Sequence, residues 1–374
     1  MKTFNRFSQM AFPENNIDRW VKIEQLWSNR TDINNIIKME ENLKDIVNEN
    51  PLDFDAWMWY GRVAHFQAMF AIGEKSRNDF FKAASKRFYK ARNIDSSSKS
   101  ALYWWAMCEH PEGDYDEVLI QVKNNLTIKN SLPLLPTLNN ESFQEALLFF
   151  EGRENADQAY KALDSFENFV KQYPDEILGW LWLSRTFMYI GTFETENSKR
   201  VQLFNNGYEA AKKAVFLSNL DPGAHYFLSS NLGLSVENSL MKQFGASKEI
   251  INSLRILASE DADFRCGGIT YYQAFGIARS GVFTRKIMNI LGVREELVLK
   301  TVTIFSNIYP NNFEGKLAAA ELAYSMGKIE VSTSFFNEII NNSPYEDPEY
   351  APENLICLRE ALRFIEQKKI NVSN

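Results

Sequence analysis

Trp57-Met-Trp59-Tyr-Gly-Arg62 and Trp180-Leu-Trp182-Leu-Ser-Arg185 carry one pattern, 180 − 57 = 123 positions apart. The same offset pairs Pro51 with Pro174, Phe70 with Phe193, Arg77 with Arg200 and Phe81 with Phe204. It also pairs Lys90 with Lys213, Ala91 with Ala214, Ala101 with Ala224 and Tyr103 with Tyr226. From 51 to 103 this gives 11 identities in 53 gapless positions, where unrelated sequence of this composition gives roughly 3. A module of about 123 residues is duplicated.

The repeated module reads as helical. Before Pro51, Met39, Leu43, Ile46 and Val47 step by three and four. Before Pro174, Leu163, Phe166, Phe169 and Val170 do the same. That spacing lays an apolar stripe along one side of an α-helix. Each run stops ahead of its proline, because the residue before Pro avoids the α region. Strand-type alternation is nowhere sustained, so the spacing predicts an all-α chain. Ser96-Ser-Ser98 and Asp221-Pro-Gly223 are matched turns. The second helices of the two units begin late, which calls for longer helices or an extra loop at 71–79 and 194–202.

Pro310 and Pro344 lie 34 residues apart, the period of a tetratricopeptide repeat. Between them Ala319, Ala320 and Ala323 line a first helix, Gly327 breaks the chain, and Ser332, Phe336 and Ile339 supply a second. The small residues allow two antiparallel helices to approach closely. The expected fold is a tetratricopeptide-like helical-hairpin solenoid, an α-α superhelix with stacked hairpins burying a continuous seam. Its expected parts are an arm (1–16), a first module (17–130), a linker (131–142), a second module (143–296), a C-terminal repeat with capping helix (297–367) and a tail (368–374).

With 45% hydrophobic residues in 374, the chain has ample apolar surface for a core. Its 41 basic and 48 acidic side chains leave a net charge of −7, which argues against nucleic acid as a partner. Three cysteines provide no disulfide framework. The opening residues lack the apolar core of a signal peptide, and the longest apolar run, 179–191, is interrupted by Ser184 and Arg185 and is too short for a membrane span. These features point to a cytoplasmic protein, or a periplasmic one if a leader has been removed.

Several stretches of the second half resemble the tetratricopeptide-type T-component proteins of tripartite ATP-independent periplasmic transporters. They are Asp221-Pro-Gly-Ala-His-Tyr-Phe-Leu228 with Asn231-Leu-Gly233, and Asp263-Phe-Arg-Cys-Gly-Gly268 with Tyr271, Tyr272 and Phe275-Gly276. Tyr309-Pro-Asn-Asn312 and Asp347-Pro-Glu-Tyr-Ala-Pro-Glu353 complete the set, which spans about 174–367. The resemblance implies a binding protein without catalysis, able to form a homo-oligomer and to partner a solute-binding protein or a small ligand. Family members are typically exported lipoproteins; this chain shows no lipid-anchor Cys near its start and has Ser280-Gly-Val-Phe283 in place of the family's proline-containing turn.

No constellation of catalytic residues stands out. Cys108-Glu-His110 lacks further ligands at metal-site spacing, and Cys108 has no local base-and-acid set. Gly267-Gly268 lacks the strand-then-helix context of a phosphate loop. The expectation is no enzyme, no cofactor and no metal. Binding is the better class. If Trp57 and Trp180 pack inside their hairpins, residues five further on rotate by a net ~140°, turning Arg62 and Arg185 toward the concave wall. His65, Phe66, Met188 and Tyr189 follow on that wall. Paired guanidiniums there suit carboxylates, so an acidic peptide or an anionic small molecule is the expected occupant. The competing reading has each Arg bracing the stack against an acid of another helix. Arg265, Gly268 and Tyr272 form a second candidate cluster, and Tyr226 and Asn231, in the stretches that carry the resemblance, complete the candidate set.

Overall fold

A computed structural model of the protein describes residues 17–30, 32–71, 74–108, 135–236, 239–259, 276–279 and 295–372. Among them no strand occurs, and helices dominate. The chain divides into two compact units, residues 1–118 and 119–374.

Unit 1 contains α1 (Ile17–Ser28), α2 (Ile33–Glu49), α3 (Phe54–Phe70), α4 (Glu74–Ile94) and α5 (Lys99–Met107). Unit 2 opens with α6 (Glu141–Glu151), α7 (Ala156–Gln172), α8 (Ile177–Phe193), α9 (Asn197–Leu217), α10 (Pro222–Val236) and α11 (Leu240–Ser259). It continues with α12 (Glu295–Ile308), α13 (Phe313–Ser325), α14 (Ile329–Asn341), a 3-10 turn (Pro344–Glu346) and α15 (Ala351–Lys368). Within each unit the helices pair as hairpins, α1 with α2, α3 with α4, α6 with α7, α8 with α9, α10 with α11 and α13 with α14, the first of each pair being the first helix; α5 packs on α4.

The duplication is visible helix by helix. Adding 123 to the bounds of α2, α3 and α4 reproduces those of α7, α8 and α9. The caps coincide as well. Asp32 accepts from the Asn34 N–H as Asn155 accepts from Asp157. Asp53 and Glu176 cap α3 and α8, and Ser98 and Asp221 cap α5 and α10. Each such acceptor satisfies an N–H that a helix start leaves open, worth about 1 kcal/mol. Trp57 and Trp180 donate their indole N–H to the carbonyls of Pro51 and Pro174, at 2.9 and 2.8 Å. They therefore pin the turn and stay half-buried rather than filling the hairpin seam; Trp59 and Trp182 are the buried pair. The late second helices resolve as longer helices, since α4 and α9 each run 21 residues.

Close packing explains the small residues. A methyl group on Gly61 would meet the Phe88 ring at 2.5 Å, and one on Gly191 would meet Phe204 at 2.5 Å. Both phenylalanines are fully buried. Gly327 ends α13 with φ of 77°, a backbone region that glycine enters without steric cost. Ser332, Phe336 and Ile339 are buried on α14. In unit 2 the array turns back on itself, and the start of α15 meets the end of α6 across 200 positions of sequence. Asn354 fixes this segment by accepting from the Phe313 N–H and donating to the carbonyls of Asn311 and Pro344.

Candidate functional site

Each unit builds the same arginine site from first helices. In unit 2, Arg153 follows α6 and Arg185 lies on α8. The Arg153 guanidinium stands 4.5 Å from the centre of the Phe150 ring and donates to the Phe150 carbonyl at 3.2 Å. Arg185 stands 4.8 Å from Phe150, 4.9 Å from Trp182 and 5.6 Å from Tyr350. Tyr189 donates its hydroxyl to the Arg153 carbonyl at 3.0 Å. Aromatic faces favour cations electrostatically and lose little water doing so.

The carboxylates come from the other end of the unit. Glu353 takes a paired contact from Arg153, Nε to Oε1 at 3.1 Å and Nη2 to Oε2 at 2.8 Å. Arg153 Nη2 also donates to the Glu349 carbonyl. Arg185 Nη2 lies 3.8 Å from Glu349 and 3.9 Å from Glu353. Burial alone would lower the Arg153 pKa, but Glu353 more than offsets it and holds the guanidinium above its ordinary value. Burial, with Glu353 beside it, raises the Tyr189 phenol. A second ion cluster, Arg279 with Glu321 and Glu360, ties α15 to α13.

In unit 1, Arg30 and Arg62 hold the corresponding places (153 − 30 = 123; 185 − 62 = 123). Arg30 stands 4.6 Å from Trp27 and donates to the Trp27 carbonyl at 2.9 Å. Arg62 stands 4.9 Å from Trp27, 4.3 Å from Trp59 and 5.5 Å from Trp104. Burial draws the Arg30 pKa down to about 10. His65 sits edge-on to Phe81 and Trp104 at 5.7 and 5.2 Å, and burial, then the Arg62 charge, draws it down to about 4.

This is a tetratricopeptide-like helical-repeat fold. No family model matches the chain, and no curated protein matches it. Among solved structures it is similar to the human IFIT1 dimer with PPP-AAAA, at 11% identity and a TM-score of 0.29, over 85% of this chain and 71% of that one. It is also similar to the P58(IPK) TPR domain, at 12% identity and 0.21, over 93% and 99%. For yeast Tom70 the figures are 11% and 0.20, over 90% and 87%. The assignment stands on the hairpin geometry of the chain itself.

The structure places the candidate residues unevenly. Arg185 is 3% exposed and lies beside Glu349 and Glu353 of its own chain, the arrangement of the competing reading in which the arginine braces the stack against an acid of another helix. His65, Phe66, Tyr189, Tyr226 and Asn231 are buried packing residues rather than parts of an open groove, while Arg62 and Met188 are half-buried. Tyr226 and Asn231 serve the helix contacts of unit 2: Asn231 donates to the Ser184 hydroxyl at 3.0 Å, and Ser184 to the Gly207 carbonyl at 2.7 Å. Arg265, Gly268 and Tyr272 lie outside the described residues. Cys108 is buried and donates to the Trp104 carbonyl at 3.3 Å. Among the described residues no cluster could hold a metal ion, and no helix is long and apolar enough to cross a membrane. Sequence reading missed Arg30 and Arg153, although the offset of 123, carried upstream of Pro51, pairs them.

Proposed function

We propose that the chain is a non-enzymatic helical-repeat scaffold that holds a protein or peptide partner against the inner wall of its first helices. One observation carries this reading. The wall of unit 2 already grips an extended turn and helix start, Glu349 to Glu353, through two arginines backed by aromatic rings. A paired Arg–carboxylate contact fixes both direction and register of the bound segment, which is what a peptide-binding wall requires. Unit 1 repeats that wall with three tryptophans in the frame.

The test is cross-linking in the native cell followed by purification, with the wild-type chain and Arg62→Glu compared at matched thermal stability. A protein cross-linked through unit 1 of the wild type and lost from the variant supports the reading. Identical cross-linked proteins from both chains contradict it.

A further inference from the structure

The duplicated modules match in outline and differ at one junction. The buried faces of α2 and α7 fall at the same positions: Ile36, Met39, Leu43, Ile46 and Val47 on one, Ala159, Ala162, Phe166, Phe169 and Val170 on the other. One further residue of α7 is buried, Leu163, and its counterpart on α2 is Glu40 (163 − 40 = 123). Glu40 has partners on both neighbouring helices. Its carboxylate accepts from Gln67 Nε2 at 2.9 Å and from Arg87 Nη2 at 2.7 Å. Arg87 Nη1 donates to the Tyr60 carbonyl at 3.0 Å, and the guanidinium lies 3.4 Å from the centre of the Tyr60 ring. A polar network thus ties α2 to α3 and α4.

Adding 123 to the four members of this network gives Leu163, Leu183, Ile190 and Ala210. All four are buried in the apolar core of unit 2. Apolar burial by itself discriminates poorly, because cores accept exchanges among hydrophobic residues and lose uniqueness before stability. The two modules share helix bounds, so α2 and α7 are candidates for each other's places, above all between two chains that exchange a helix as they fold. The network separates them. On α8 and α9, Glu40 would face Leu183, Ile190 and Ala210, which offer its carboxylate no side-chain donor. On α3 and α4, Leu163 would leave Arg87 and Gln67 without their acceptor. A buried polar group that loses its partner is penalised heavily, whereas a satisfied ion pair adds little over an apolar replacement. The contribution of the network therefore lies in the pairings it excludes.

We infer that the Glu40–Gln67–Arg87–Tyr60 junction is a pairing-specificity device, which directs α2 to the α3–α4 hairpin and keeps it off the duplicate hairpin, α8–α9, of another copy of the chain. The five apolar positions supply the attraction common to both modules. The network supplies the difference between them.

The test refolds the full chain from urea at high protein concentration and weighs the products by light scattering. Glu40→Leu, Tyr60→Leu, Gln67→Ile and Arg87→Ala together give unit 1 the residues of unit 2. This matched variant should keep its helix content and yield at least about 5-fold more dimer than the wild type. Glu40→Gln preserves shape and removes only the charge, so it reports even if the matched variant does not fold; at least about 3-fold more dimer is expected. Glu40→Arg with Arg87→Glu restores an ion pair between α2 and α4 and should stay within about 2-fold of the wild type. Refolding isotope-labelled and unlabelled chains together, followed by amine cross-linking, locates the exchange. Links between chains from Lys38 or Lys44 on α2 to Lys212 or Lys213 on α9 are expected. Dimer no more abundant in the matched and Glu40→Gln chains than in the wild type overturns the proposal. So does a charge-exchanged chain that dimerises as freely as the matched one, or a dimer whose links between chains avoid α2.

Discussion

Unit 1 and unit 2 set the same pair of arginines on the same aromatic frame, and they differ in what is shown to face it. In unit 2 two glutamates of the C-terminal segment stand against the frame. The consequence is electrostatic. Arg153 is held above its ordinary pKa by Glu353, while Arg30, equally deep, is drawn down to about 10 by burial. In unit 2 the arginine frame of the duplicated module thus helps to close its own unit. The lesson is that an arginine on a repeat's inner wall cannot be assigned to a partner until the far end of the chain has been traced.

The largest effect expected from this comparison comes from cutting the committed pair. Arg153→Ala leaves the half-buried Glu353 carboxylate without its paired donors, which costs about 2–3 kcal/mol, below the range for a fully buried pair. Urea unfolding followed by hydrogen exchange should show the loss in residues 141–193 and 351–368, with residues 33–94 unchanged. A loss below about 1 kcal/mol would break the claim that the ion pair is buried and required.

The units should also answer pH with opposite signs. His65 has its folded pKa depressed to about 4, by burial and Arg62. Its contribution to unit 1 is present above pH ~6.5 and is lost as pH falls through 4, at most about 3 kcal/mol. Asp347, among Glu349 and Glu353, has its folded pKa raised to about 6, chiefly by burial. Its contribution to unit 2 is full below the ordinary carboxylate range and is lost as pH rises through 6. Unfolding midpoints at pH 4, 5, 6 and 7, with His65→Phe and Asp347→Asn as controls, check both signs; a slope that survives its control assigns the effect elsewhere.

Packing provides the smaller tests. Gly191 of unit 2 corresponds to Ala68 of unit 1 (191 − 68 = 123). Gly191→Ala drives a methyl to 2.5 Å from the buried Phe204 ring and should cost about 1–3 kcal/mol. Ala68→Gly should cost only about 0.5–1 kcal/mol, through helix propensity. Thermal unfolding of the two variants separates them.

Much of the fold was legible in the sequence, because helix ends are marked locally. Pro51 and Pro174 stop α2 and α7, and the offset of 123 carries over to helix bounds and caps. The 34-residue spacing delivered α13 and α14 with Gly327 between them. The rotation argument for Arg62 and Arg185 loses its starting point, because Trp57 and Trp180 pin turns rather than fill the seam. What covers Arg185 was not legible, since Glu353 and Arg153 are 200 positions apart and no local signal links them. The burial of Tyr226 and Asn231 was hidden for a related reason. The residues of α10 are buried on nearly every side, so its apolar pattern shows no single face.

The central claim is that the arginine frame of unit 2 holds the Glu349–Glu353 segment in place. Hydrogen exchange on the full chain, read by mass spectrometry for the wild type and for Glu353→Gln, tests it most directly. Faster exchange is expected in residues 146–153 and 343–368 of the variant, with residues 20–30 and 57–70 unchanged. Exchange in 343–368 that matches the wild type would contradict it.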